Sequence, residues 1–182
     1  KEVSATDRGN AYHKVMELLD YETLFEKGEK TVKEKLETML ESYVASGRLT
    51  EVYRKAVNVF KLVRFLEEPL AERMWQAAQR RELYREQPFV LGVSAGRLGE
   101  EFPKQERVLI QGIIDAFFIE DGEIVLLDYK TDRVNTPKEL WERYETQLDY
   151  YEEALSKLMN MPVKERILYS FSLEKCVTGL QG

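Results

Sequence analysis

Two carboxylates and one ammonium, those of Asp115, Asp128 and Lys130, interrupt an otherwise oily stretch of the chain, and the spacing brings them together. Residues 113–119 and 124–127 are apolar runs flanking Asp121-Gly122, the dipeptide preferred in two-residue type I′ hairpin turns. A tight turn there sets Glu120 opposite Glu123, Ile119 opposite Ile124 and Phe117 opposite Leu126. Continued, the register sets Asp115 opposite Asp128. Side chains directly opposite in an antiparallel pair have Cβ atoms about 4.5–5.5 Å apart, so two carboxylates there repel unless a positive charge lies between them. Lys130 is two residues past Asp128 and points to the same face. A hard cation such as Mg²⁺ takes oxygen ligands, commonly one or two carboxylates with water and phosphate. Such an ion activates water and stabilises charge on phosphate oxygens, and a lysine beside it can orient that water or neutralise the transition state. The chemistry expected of this grouping is metal-assisted phosphodiester hydrolysis, with Asp115, Asp128 and Lys130 catalytic.

A second group lies downstream. Tyr144, Gln147 and Tyr151 are three and four residues apart and share one face of a helix. An amide and two phenols suit hydrogen bonding to phosphate or base, or stacking on a base, along a single strand.

The elements that must position these side chains follow from periodicity. Residues 4–20 read as a helix, with Ser4, Thr6 and Asp7 as cap candidates and Tyr12, Val15, Met16 and Leu19 as its apolar stripe. His13 sits at the stripe's edge, one turn after Gly9, where the missing side chain lets another backbone or a ligand approach. Residues 31–80 read as helical throughout, punctuated by Gly47 and Pro69, and form a helical cap. The β-rich core spans 82–173. Leu83–Val93 is a strand with Glu86 inside it and an edge or bulge at Pro88, and 96–107 is a loop. Val108–Ile119 and Glu123–Thr131 form the hairpin. Thr136 caps a helix with Pro137 at its first position and Glu139 completing a capping box, and that helix runs to about Asn160. Val163–Leu173 is a last strand. The order is helical cap, then β-β-β-α-β: an α+β arrangement.

At 182 residues, with 43% hydrophobic and 33% charged residues, the chain is expected to be one domain of ordinary globular composition. Its net charge of −6 argues against a free-standing non-specific nucleic-acid binder, although not against a nuclease whose substrate is delivered to it. The single cysteine, Cys176, permits no disulfide within the chain and no cysteine-built zinc or iron–sulfur site. No window approaches the roughly 18 apolar residues of a membrane span. Starting at Lys1 directly on a helix signal, the chain reads as a piece of a longer protein. A cytoplasmic setting is expected, with no membrane partner.

These residues carry a family resemblance. Gly112-Ile-Ile-Asp115, Asp128-Tyr-Lys130 and Gln147-Leu-Asp-Tyr-Tyr151, preceded by Gly9-Asn-Ala-Tyr-His13 and Glu86-Gln-Pro-Phe, resemble in order the motifs of the RecB-type nucleases of the PD-(D/E)XK superfamily, and most of all the AddA-type helicase–nuclease branch. The resemblance implies a restriction-endonuclease-like αβββαβ core with a mixed sheet. It implies that His13, Asp115, Asp128 and the Tyr129 carbonyl hold Mg²⁺ (Mn²⁺ or Ca²⁺ substituting for binding), that Lys130 is catalytic and Glu86 supports the site, and that Gln147, Tyr151 and the nearby Tyr144 serve the substrate. It further implies cleavage of single-stranded DNA during recombinational repair, with helicase domains in the parent chain and an AddB-like partner subunit. Cluster-bearing relatives use four cysteines, so this chain departs from them and no iron–sulfur cluster is expected. No Gly-x-x-x-x-Gly-Lys-Ser/Thr loop occurs, so ATP is not expected to bind here. Two other readings compete: a non-catalytic DNA-binding module of the same fold, and a docking domain presenting the 31–80 helices to a partner.

Overall fold

In the computed structural model, which describes residues 4–179, the central hairpin closes as its turn residues require. Strand β2 (Arg107–Glu120) pairs antiparallel with β3 (Glu123–Lys130), with Glu120 opposite Glu123 and Phe117 opposite Leu126. Asp121 and Gly122 both have positive φ, 54° and 77°, the conformation a type I′ turn demands at both positions. Strand β1 (Leu83–Ser94) lies antiparallel on the outer edge of β2, where Pro88 is tolerated. Helix α7 (Pro137–Met159) carries the chain over the sheet so that β4 (Val163–Ser170) runs parallel to β3. A short fifth strand, β5 (Lys175–Val177), pairs antiparallel with β4. The result is a mixed sheet of order β1-β2-β3-β4-β5.

The end of this sheet differs from the expectation of one strand over 163–173. At Ser170 the chain leaves the ladder. The Ser170 hydroxyl accepts a hydrogen bond from Leu173 N, and Glu174 takes a φ of 56°. That reversal brings Cys176 opposite Tyr169.

Both faces of the sheet are covered, which is why β3 reads as an unbroken apolar run. On one face α7 buries Leu140, Leu148 and Leu155 against Phe117, Leu126 and Leu168. On the other, α1 (Ala5–Leu18) and the helices α2 (Tyr21–Phe25), α3 (Val32–Ala45), α4 (Glu51–Ala56), α5 (Val59–Glu67) and α6 (Pro69–Gln79) pack Val15, Leu36, Leu62, Phe65 and Met74 into one cluster with Phe118, Leu127 and Tyr169. The region expected to be helical throughout is thus four helices. Gly47 (φ 74°) and Pro69 mark two of the breaks. The third falls at Val57–Asn58, where the Asn58 side chain accepts from Phe60 N and its backbone N donates to the Tyr12 hydroxyl. Ser4 caps α1, while Thr136 accepts from Glu139 N at the start of α7. The Glu139 carboxylate reaches Asn135 N instead of the cap residue, so the expected capping box is half formed.

Arg73 of α6 ties the helical layer to the hairpin end. Its guanidinium donates to both carboxylate oxygens of Glu120, at 3.0 and 2.9 Å, and also pairs with Glu165. Lys164 lies 2.9 Å from the same Glu120. The Arg73 hydrogen bonds, with Lys164, hold the Glu120 carboxyl down to about 2. A depressed folded-state value means that the stabilisation is present above the unfolded value and is lost as pH falls through the folded one. Glu120→Gln is therefore expected to cost about 1–2 kcal/mol at neutral pH, with the gap to wild type closing as pH drops from 4.5 towards 2. Urea unfolding of both proteins across that range is the measurement, and a gap that stays constant with pH would rule this account out.

Candidate metal centre

Asp115 sits where the regular sheet is interrupted. The last ladder pair of β2 and β3 is Ala116 opposite Leu127. One step further, the Asp115 side chain takes over the pairing, its Oδ2 accepting from Tyr129 N at 2.9 Å. The inside–outside alternation of β2 resets at the same point: Ile114 packs beneath α7 and Ala116 beneath the helical layer, although they are two residues apart. Across from Asp115 on β1 is Glu86, with φ 50°, and the β1–β2 pairing skips these two residues between Arg85↔Ala116 and Gln87↔Ile114. A residue with a side chain held in this left-handed region costs roughly 1–2 kcal/mol, so the kink is maintained by its surroundings.

Helix α1 brings His13, the chain's single histidine, to this kink. Gly9 allows the approach: a Cβ there would stand 3.3 Å from Thr131 Oγ1 at the end of β3. Arg85 of β1 fixes the far end of the helix by donating to the carbonyls of Glu17 and Leu19 at 2.7 and 2.6 Å, groups that a helix terminus leaves unpaired.

The three elements converge on one point. His13 Nε2 lies 3.0 Å from Asp115 Oδ2 and 3.0 Å from the Tyr129 carbonyl oxygen. Ligand atoms of His13, Asp115 and Asp128 all fall within 4.8 Å of one another. Asp128 is 3% exposed. Lys130 Nζ stands 2.7 Å from Asp128 Oδ2, but off the line of a hydrogen bond, and that buried oxygen has no hydrogen-bond partner. Lys130 instead donates to Gln147 Oε1 at 3.0 Å, and its ammonium sits 3.8 Å above the centre of the Tyr144 ring.

Charge in this space is unbalanced. Burial, followed by the neighbouring Asp115 charge, pushes the Asp128 carboxyl up, against the pull of Lys130. Burial would raise Asp115 as well, but its bonds to His13, Asp128 and Tyr129 N leave it lowered. Burial works to lower His13, yet the Asp115 carboxylate and the Tyr129 carbonyl outweigh it and raise the imidazole to about 9. A protonated imidazole thus occupies the role of counter-cation between two acids and a carbonyl. Two carboxylates, a carbonyl oxygen and one imidazole form a donor set for a hard divalent ion with some tolerance for nitrogen, such as Mg²⁺ or Mn²⁺. Asp128 brings a buried carboxylate oxygen within 4.8 Å of the His13 and Asp115 ligand atoms, and the Lys130 ammonium beside its Oδ2 leaves that oxygen without a hydrogen bond. The residues present fit a divalent metal.

The remaining candidates take different places. Gln147 is in the site, through Lys130. Tyr151 is mostly buried, with its ring edge-on to Phe89 at 5.3 Å. The Tyr144 hydroxyl is occupied, donating to Asp132 Oδ2 at 2.7 Å, and Arg143 holds the same oxygen at 3.1 Å. Its ring face, rather than its hydroxyl, meets the lysine. Glu86 is half-buried, and burial, then Asp115 and Glu17, push its carboxyl up. Sequence reasoning overlooked Arg85 and Asp132. Nothing in the periodicity marks Arg85, whereas Asp132 carried a readable signal as an acid just past the Asp128-Tyr-Lys130 strand end.

Comparison with known proteins identifies the family. The family model of the PD-(D/E)XK nuclease superfamily matches residues 1–177. An ATP-dependent helicase/nuclease subunit of Lachnoclostridium phytofermentans is 35% identical over 210 residues, covering 96% of this chain and 15% of the relative. The protein of that name from Clostridium botulinum (strain Alaska E43 / Type E3) is 38% identical over 179 residues, covering 96% and 14%. The counterpart from Clostridium acetobutylicum is 34% identical, covering 94% and 14%. The chain therefore spans about one-seventh of the length of these relatives. With its mixed five-stranded sheet and restriction-endonuclease-like α+β architecture, the chain belongs to the PD-(D/E)XK nuclease superfamily.

Proposed function

We propose that this chain is the nuclease domain of a bacterial helicase–nuclease and hydrolyses phosphodiester bonds of single-stranded DNA in a Mg²⁺-dependent reaction. The observation that carries the reading is the convergence of Asp115 Oδ2 and the Tyr129 carbonyl, each 3.0 Å from His13 Nε2, beside the buried Asp128 carboxylate. These four groups would hold the ion. When bound, a divalent cation supplies a water of lowered pKa and a Lewis acid for the scissile phosphate.

The chain's own residues account for the rest. Lys130 keeps an ammonium at the edge of the site, pinned by Gln147 and the Tyr144 ring, where it can orient the attacking water or neutralise charge on phosphate oxygens. Gln147 shares its amide between Lys130 and the substrate. Tyr151, one turn after Gln147 on the same helix, is assigned to the substrate, and Glu86 holds the β1 kink that turns Asp115 inward. The relatives' name joins helicase and nuclease in one polypeptide of far greater length. That supports a parent chain whose helicase domains feed a single strand to this site. An AddB-like partner, a role in recombinational repair of double-strand breaks and a cytoplasmic setting complete the proposal.

The test is cleavage of an end-labelled single-stranded oligonucleotide. Cutting is expected with Mg²⁺ or Mn²⁺, none after EDTA, and recovery on adding the ion back. Intact DNA under all three conditions would leave a non-catalytic module of the same fold.

A further inference from the structure

Two clefts meet beside the metal centre and share three residues. The first, about 690 Å³, is bordered by His13, Gly9, Asn10, Thr131, Arg8 and Arg133. The second, about 290 Å³, continues from Arg8, Thr131 and Arg133 towards Lys61 and Ser172. Their lining is positive on a chain whose net charge is −6. Arg8 and Arg133 form no ion pair with any acidic group among the described residues. Lys61 donates to the Phe171 carbonyl and is 4.0 Å from Glu174 at the far end. Asp132 is the acid on the lining, and Arg143 and the Tyr144 hydroxyl already engage its carboxylate.

The cleft starts at the histidine of the metal centre, on the α1 side of the sheet. Lys130 and Gln147 lie on the α7 side. A strand passing through the site from one side must leave along the other, and the groups available there are guanidiniums with hydroxyls, which suit phosphate. The lining lacks the exposed aromatic platforms that read bases.

We propose that this cleft carries the sugar–phosphate backbone of the strand being cut, with Arg8 and Arg133 each neutralising one phosphate. The assignment rests on the nuclease reading above and adds to it the path of the strand.

The test compares the protein with Arg8→Ala/Arg133→Ala and with Lys27→Ala, a charge removed from an exposed site outside the clefts. Binding of a fluorescent single-stranded oligonucleotide is titrated against salt in Ca²⁺, and cleavage of the same oligonucleotide is followed in Mg²⁺. Each phosphate neutralised contributes about 0.7 to the slope of log K against log salt for single strands. The double variant is expected to lose about 1.4 from that slope and at least about tenfold in low-salt affinity, while Lys27→Ala keeps both. If wild type cleaves and the double variant, folded by circular dichroism, keeps the wild-type slope, the strand does not run through this cleft. If wild type neither binds nor cleaves, the nuclease reading itself fails and this assignment goes with it.

Discussion

Replacing Lys130 by Met is expected to leave a folded, metal-binding protein that cleaves DNA at least about a thousandfold more slowly, equivalent to about 4 kcal/mol of transition-state stabilisation. The methionine stem retains the contact with the Tyr144 ring but loses the ammonium that lies 2.7 Å from Asp128 and 3.0 Å from Gln147. The ion's donors at His13, Asp115 and Tyr129 are untouched. Asp115→Ala should abolish cleavage by a different route. It deletes the oxygen that both meets His13 and accepts from Tyr129 N, so metal affinity falls with activity. The pair separates the roles: single-turnover rates at saturating Mg²⁺ fall for both, whereas metal binding by calorimetry falls only for Asp115→Ala. Cleavage by Lys130→Met within tenfold of wild type would remove the lysine from the chemistry.

Much of this site could be read from the residues because the hairpin turn is chemically specific. Asp121-Gly122 admits a two-residue turn, the turn fixes the register, and the register delivers Asp115 and Asp128 to one place. Periodicity likewise found α1, α7 and the apolar β3. The kink was not readable. A regular ladder would have set the two acids side by side as an ordinary cross-strand pair. Instead the alternation of β2 resets at Asp115 opposite a left-handed Glu86, and the Asp115 carboxylate replaces a backbone acceptor for Tyr129 N. Glutamate has no special preference for that conformation, so its identity gave no warning. The contact of the Tyr144 ring with Lys130 was hidden for a related reason. Helical spacing sets Tyr144 on the same face as Gln147, but whether ring or hydroxyl faces the site depends on Asp132, which lies outside the helix. Arg85 was missed because its partners are carbonyls at a helix end, which carry no sequence signature.

Metal affinity is expected to rise about tenfold per pH unit between about pH 7 and 9, and to level off above that. The sign follows from the metal-free state. His13 is raised to about 9, so near neutrality it carries a proton, and a protonated imidazole cannot ligate. Every ion bound in this range must therefore expel one proton. Asp128 is raised as well, which steepens the dependence at the acid end, where a second proton must leave. The folded, metal-free protein shows the opposite trend. A histidine whose folded value is raised contributes stability that is complete below the unfolded value of 6.5 and lost as pH rises through about 9. Thermal stability without metal should thus decline across the interval in which the metal-induced increase in melting temperature grows. Titrating Mg²⁺ calorimetrically in buffers of different ionisation enthalpy counts the protons directly: about one per ion near pH 8 for wild type, and close to none for His13→Gln. A pH-independent affinity in wild type, or the same proton release from the variant, would mean that His13 is not a ligand and serves only as the cation that offsets the repulsion between Asp115 and Asp128.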